Sequence, residues 1–329
     1  MTQFTTAAIL LGLALFASGV AAGDEAAEPV RQERADAWWT GPLLAPNASS
    51  FPAGRALVET YVFDVNSTGQ YDSSGRHAPA AGGHELGSLT YLIYGLTDRV
   101  SVGLLPRFFY DEPAGAANSS SPGVGDLGAQ VQVGLTSFRE GSWVPATAVV
   151  LGVTLPTGRY DRLTNPADGF GAGAYGASLS WYSQDYLWLP NGRILRVRLD
   201  LTYAISSSAS LADRSVYGTA VGFRGHADPG DSFTADAAAE YSLTRNWVLA
   251  SDLVWVHNSS TRLTGSEPAA GGPAPIDVQS GSGEYFAVAP AVEYNFSARV
   301  GIIVGARIFV AGRNTGSSVT TAAAINMVF

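Results

Sequence analysis

From Phe51 to the C-terminus, apolar and polar residues alternate in long stretches separated by clusters of Gly, Asn, Asp, Ser and Pro. A period of two sends successive side chains to opposite faces of a strand, so each stretch predicts a β-strand with two differently solvated faces. Between Val124 and Thr136, the residues Leu127, Ala129, Val131, Val133 and Leu135 share one face, and Asp126, Gly128, Gln130, Gln132, Gly134 and Thr136 share the other. Leu195–Ser206 repeats the arrangement, with Leu195, Val197, Leu199, Leu201, Tyr203 and Ile205 opposing Arg196, Arg198, Asp200, Thr202 and Ala204. In Arg299–Ala311, Val300, Ile302, Val304, Ile308 and Val310 oppose Gly301, Gly305 and Arg307. One segment breaks the rule: Leu57–Val65 carries apolar residues on both faces, and its sides stay unassigned.

A soluble sandwich also alternates, but its polar face is rich in charge. Here the polar face is mostly Gly, Ser, Thr and Gln with isolated charges, which suits the wall of a wet lumen. The stretches are also longer than the roughly 5–6 residues of ordinary globular strands. An antiparallel up-and-down barrel puts the apolar face against lipid and leaves no unpaired edge in hydrocarbon.

Turn chemistry points the same way. Tight turns are expected at Thr97–Arg99, Leu243–Asn246 and Phe296–Ala298, and long polar connections at Asn66–Gly83, Asp111–Gly123, Pro156–Gly169 and Ser259–Gly283. Short periplasmic turns and long outer loops are the mark of outer-membrane barrels. Thirteen segments read as strands, whereas both termini on the periplasmic side demand an even number. Placing Arg214–Gly225 in an outer loop restores parity and gives twelve strands, with fourteen as the alternative if another segment splits.

Composition reinforces this picture. Charged residues make up only 14% of the 329 residues, well below a soluble domain's usual share. The net charge of −9 and the absence of any basic run speak against nucleic acid as a partner. With no Cys, disulfides, thiol catalysis and Cys-ligated metals are excluded.

Ala7–Ala22 is apolar, uncharged and too short to span a bilayer, and Val20 and Ala22 fit a cleavage site, so residues 1–22 are expected to be a signal peptide. Residues 23–50 follow as a periplasmic segment or a partial plug of the lumen, and residues 51–329 form the barrel. Phe329 ends an alternating last strand, which resembles the signal read by the barrel-assembly machinery.

Several stretches resemble the outer-membrane family of the MetA-pathway of phenol degradation. They are Tyr94–Arg99 at a turn, Gly123–Gly128 opening a strand, Leu155–Gly158 closing one, and above all Val288–Gly316. The order and spacing of these loose motifs cover most of the chain from Gly54 onward. The resemblance implies an outer-membrane barrel that passes small solutes, often aromatic or apolar. Separately, no cofactor or metal is expected.

On the assigned faces Arg107, Asp126, Gln130, Gln132, Arg196, Arg198, Asp200, Asp236, Glu240, Asp252, Glu293 and Arg307 point inward, as pore-lining candidates. Antiparallel registry sets Arg107 near Asp126, Arg198 near Glu240, and Asp236 near Asp252, with Arg198 as the expected partner of that acidic pair. Opposed charges could create a charged constriction through which solutes diffuse passively, or they could simply neutralise one another and brace the wall. Tyr91, Phe108, Tyr110, Trp181, Tyr203, Trp247 and Trp255 are expected in aromatic girdles at the two membrane interfaces, with a stacking track for an aromatic solute as the rival. Two further readings stand beside a channel: a structural or adhesive barrel, and a phospholipase-type hydrolase built on His257 and Ser259. The hydrolase lacks an obvious group to orient the base. His77, His84 and His226 fall in or near loops at no metal-ligand spacing.

Overall fold

The computed structural model describes residues 30–80 and 82–329; the signal peptide expected over residues 1–22 lies outside the described residues. Twelve strands form the barrel: β1 (Ala56–Tyr71), β2 (His84–Gly95), β3 (Val100–Leu105, resumed as Arg107–Glu112), β4 (Leu127–Thr136, preceded by Gly123–Val124), β5 (Ala146–Leu155) and β6 (Gly176–Trp188), followed by β7 (Ile194–Ser206), β8 (Ser232–Ser242), β9 (Trp247–Asn258), β10 (Gly283–Ser297), β11 (Val300–Arg313) and β12 (Thr315–Val328). Consecutive strands pair antiparallel, and β1 pairs with both β2 and β12, which closes the sheet. The interruption in β3 falls at Pro106, which has no N–H to give the ladder.

Even parity puts both barrel ends at one rim, where Phe329 N–H donates to the Ala56 carbonyl at 2.9 Å. The connections at that rim are 96–99, 137–145, 189–193, 243–246 and 298–299. The opposite rim carries 72–83, 113–122, 156–175, 207–231 and 259–282. One outer connection departs from the expected length: β11 turns into β12 through Asn314 alone, at a left-handed φ of 48° that Asn tolerates.

Arg214–Gly225 lies outside the barrel, as the parity of the chain required, although Arg224 and Gly225 open a short strand rather than a loop. The segment belongs to an outer structure of four short strands, Ala209–Ala212, Arg224–Asp228, Arg262–Glu267 and Ala274–Gln279, paired in that order. Ala209, Leu211, Phe223 and Ala227 form its small core together with Ala174. At its edge Arg262 makes two hydrogen bonds to Asp277, which hold that carboxyl below its ordinary range.

The outer wall is aliphatic. Leu151 is 60% exposed and Leu253 51%, values no water-soluble sheet sustains row after row. No helix among the described residues is long and apolar enough to cross a membrane. An arginine at Leu253 is expected to lower stability by about 2–4 kcal/mol if that row sits near the bilayer midplane. A denaturant midpoint unchanged in lipid vesicles would place Leu253 away from hydrocarbon.

Candidate functional site

The lumen has two unlike halves. On β7–β10 the inward positions carry charged groups and alanines: Arg196, Arg198 and Asp200, then Asp236, Ala238 and Glu240, then Ala250 and Asp252, then Ala289, Ala291 and Glu293. Arg196 stands directly across from Glu240 in the β7–β8 register. Its Nε donates to Glu240 Oε2 at 2.6 Å, and a second contact joins Arg196 Nη2 to Glu240 Oε1. Arg198 Nε lies 3.2 Å from the same carboxylate. One buried glutamate thus serves two buried arginines.

The small alanines leave a volume that the N-terminal segment occupies. At the periplasmic rim Gln32 donates from its side chain to Ser242 Oγ at 2.9 Å, and its carbonyl accepts from Trp188 Nε1 at 2.8 Å. The chain then turns inward. Thr40 N–H and Gly41 N–H donate to Glu293 Oε2 at 2.7 and 3.2 Å. Deeper still, Asp252 accepts from the backbone N–H groups of Leu43, Leu44 and Ala45 at 3.1, 3.3 and 3.0 Å. Leu43 packs among Ala250, Ala289, Ala291, Ile303 and Ala324. Arg198 Nη1 donates to the Ala45 carbonyl at 2.7 Å, and Gln132 reaches the Asn47 carbonyl at 3.1 Å. The segment leaves at the far side of the same rim, where Ser50 donates to the Arg99 carbonyl at 3.0 Å. Residues 31–50 therefore arch across the periplasmic half of the lumen, their backbone donors held by the wall's carboxylates.

The other half, on β1–β3, is greasy and aromatic. It is the segment whose sides the sequence left unassigned: Leu57, Glu59, Tyr61, Phe63 and Val65 of β1 line the cavity. The register makes room for the large rings. Phe63 lies opposite Gly87 on β2 and Ala322 on β12. A Cβ at Gly87 would sit 2.2 Å from the Phe63 ring, so only glycine allows that ring to lie across β2. The Phe63 ring meets Phe109 of β3 edge-on at 6.2 Å, and Phe109 stacks on Phe170 of the 156–175 loop at 5.8 Å. Tyr61 and Tyr91 meet at 6.1 Å. Between this wall and the N-terminal arch lies a cavity of about 610 Å³, whose lining includes Leu57, Tyr61, Phe63, Leu89, Tyr91 and Tyr182.

Eleven of the twelve sequence candidates lie at inward positions of their strands, and Asp126 sits in the break just before β4, but few face the cavity. Gln130, Gln132, Arg198 and Arg307 line it. Arg196, Glu240, Asp252 and Glu293 are buried against one another or the arch, and Asp200 and Asp236 are buried beside them. Arg107 and Asp126 are close in register but form no ion pair; Asp126 instead accepts from the backbone of Gly158 and Ala172 at 2.9 and 2.8 Å, pinning the 156–175 loop. Arg198 does not bridge the Asp236–Asp252 pair. It is ion-paired with Glu240 and hydrogen-bonded to the Ala45 carbonyl, and Asp252 is satisfied by backbone donors. Among the expected girdle residues, Tyr91 is misplaced: it faces the cavity, whereas Phe108, Tyr203 and Trp247 are exposed on the outer wall. His257 lies beside the Trp255 ring at 6.3 Å, Ser259 N–H is turned into the loop to Asp231, and among the described residues no hydrogen bond joins His257 to Ser259.

A family profile described as "Putative MetA-pathway of phenol degradation" matches residues 47–325. The chain is similar to the crystal structure of an outer membrane channel from Pseudomonas putida F1, at 17% identity and a TM-score of 0.65, covering 87% of this chain and 100% of that one. A looser likeness, TM-score 0.36 at 12% identity over 89% of this chain and 95% of the other, is to the P. putida toluene transporter TodX. No curated protein matches the chain by sequence.

Proposed function

Since the chain belongs to the MetA-pathway of phenol degradation family, whose profile spans nearly all of its barrel, we propose that it is an outer-membrane channel passing small aromatic or apolar solutes by diffusion. The observation that carries this is the cavity of about 610 Å³ walled on one side by Tyr61, Phe63 and Tyr91. Ligand sites for drug-sized molecules fall in this size range and are mostly apolar with a few placed polar groups. A general porin needs no aromatic inner wall, and a barrel built only for support would gain more from filling that space. Phe170, Phe109 and Phe63 run as a chain of touching rings from an outer loop into the cavity, giving a flat solute successive faces to stack on. The charged half then acts as the frame that holds the arch of residues 31–50, and that arch serves as a partial plug.

The arch also supports a second reading, a closed structural barrel, because it fills much of the periplasmic half. Uptake by intact Gram-negative cells separates the two, since their lipopolysaccharide surface slows apolar solutes. Cells producing the chain are expected to take up radiolabelled benzyl alcohol faster than vector controls and with saturation. Phe63→Ala is expected to reduce the difference severalfold while glucose uptake stays unchanged. Equal rates in producing and control cells would favour the structural barrel.

A further inference from the structure

The two arginines of the charged half share Glu240, but two others that face the lumen have no such partner. Arg307 of β11 lines the cavity, donates from Nη2 to Thr320 Oγ1 at 3.3 Å, and lies 5.3 Å from the Phe309 ring. Its Nε is buried without a hydrogen-bond partner, and among the described residues no carboxylate comes within ion-pairing distance. A guanidinium offers five donors in a planar fork, so most of this one's capacity is unused where the side chain lines the cavity. Arg107, on the far side of the aromatic wall, likewise has a buried Nε with no partner.

Leaving such a group unpaired is costly in a chain with a net charge of −9, where acidic partners are plentiful. The surrounding carboxylates do not supply one. Glu284 is paired with Arg313 at 3.6 Å. Glu85 stands opposite Val65 on β2 and is separated from Arg307 by β1 and β12. Glu59 lies three inward positions below Val65, about 20 Å along the strand.

The register fixes what lies next to the guanidinium. Arg307 pairs with Thr320, and Thr320 pairs with Val65, so Arg307 and Val65 are two strand spacings apart, about 10 Å. Phe63 is the next inward residue of β1, and the open cavity lies between. A fork that binds a planar carboxylate and a wall that stacks a ring are thus separated by the reach of one arginine side chain plus one aromatic acid.

We propose that the outer half of the lumen is a binding site for aromatic carboxylates, with Arg307 receiving the carboxylate and the Phe63 wall receiving the ring. This rests on the channel reading for its purpose, since it names a solute class for that channel, but binding is measured without transport. Equilibrium dialysis of radiolabelled benzoate against the detergent-purified full chain is expected to show saturable binding. Arg307→Gln, which keeps length and polarity, is expected to weaken benzoate roughly tenfold, ~1.4 kcal/mol, and to leave benzyl alcohol binding unchanged. Arg307→Lys, which keeps the charge but loses the fork, is expected to fall between them. Heat-modifiable migration in gels checks that each variant is a folded barrel.

Absence of saturable benzoate binding, or equal binding by wild type and Arg307→Gln, overturns the site. Competition by acetate as strong as by benzoate overturns the aromatic part, because it marks a bare anion site. Benzoate binding without any uptake of aromatic solutes by cells leaves the site standing and sinks the channel.

Discussion

Replacing Glu240 by alanine is expected to lower barrel stability by about 3–5 kcal/mol, the cost of leaving a buried charge unpaired. The expectation follows from burial and stoichiometry: Glu240 is wholly buried, Arg196 is 4% exposed, and Arg198 shares the same carboxylate. Removing one acid therefore takes the buried ion-pair partner from two cations. Arg196 keeps its stacking on Trp39, with the guanidinium carbon 4.6 Å from the ring centre, and a weaker attraction to Glu293, but cation–π contact replaces little of a lost buried ion pair. Urea unfolding in detergent micelles should show the midpoint fall clearly. Asp277→Ala on the outer sheet, which breaks an exposed pair with Arg262, should shift it by no more than about 1 kcal/mol. Similar small shifts in both variants would mean the inner network is solvated and carries little of the fold's stability.

The second large effect concerns the arch. Asp252 holds three consecutive backbone N–H groups, at Leu43, Leu44 and Ala45. Hydrogen bonds to a charged acceptor contribute about 1.5–3 kcal/mol each. Asp252→Ala is expected to release the middle of the arch while its ends stay tied at Gln32 and Ser50. In planar bilayers the wild-type chain should show small, infrequent ionic current steps, and the variant should spend at least tenfold more time in an open state. Pairing the change with Glu293→Ala, which frees Thr40 and Gly41, should add to it. Conductance identical to wild type in the double variant would show that the arch does not limit passage.

Period-two alternation made the barrel legible in the sequence. Strands such as β4 and β7 carry lipid and lumen faces of different chemistry, so each residue's parity identified its side. β1 resisted because both of its faces are apolar: Val62 meets lipid while Tyr61 and Phe63 line a greasy cavity, so alternation had no contrast to display. Tyr91 was misread for the same reason. A tyrosine near a strand end looks like a girdle residue unless the opposite wall is known to be aromatic.

The charged pairs were legible only as far as cross-strand register reaches. Registry set Arg198 near Glu240, and the two are 3.2 Å apart, but the direct cross-strand partner is Arg196, one inward position along β7. Asp252 and Glu293 find their partners in the N-terminal arch, 209 and 253 residues away in sequence. One signal was present. Alanine recurs at the inward positions Ala238, Ala250, Ala289 and Ala291, and a lumen wall of small side chains implies that something else fills the space. Gly87 carries the same kind of information, because its missing side chain is where the Phe63 ring lies.

The division of the lumen into a charged frame and an aromatic wall is tested most directly by photolabelling. A diazirine-bearing benzyl probe, crosslinked to the purified chain and mapped by mass spectrometry, should label peptides covering Ala56–Tyr71 and His84–Gly95. Excess benzyl alcohol should suppress that labelling. Displaceable label concentrated on Ile194–Ser206 and Ser232–Ser242, or found only on lipid-facing residues, would contradict the two-sided lumen and the solute path drawn from it.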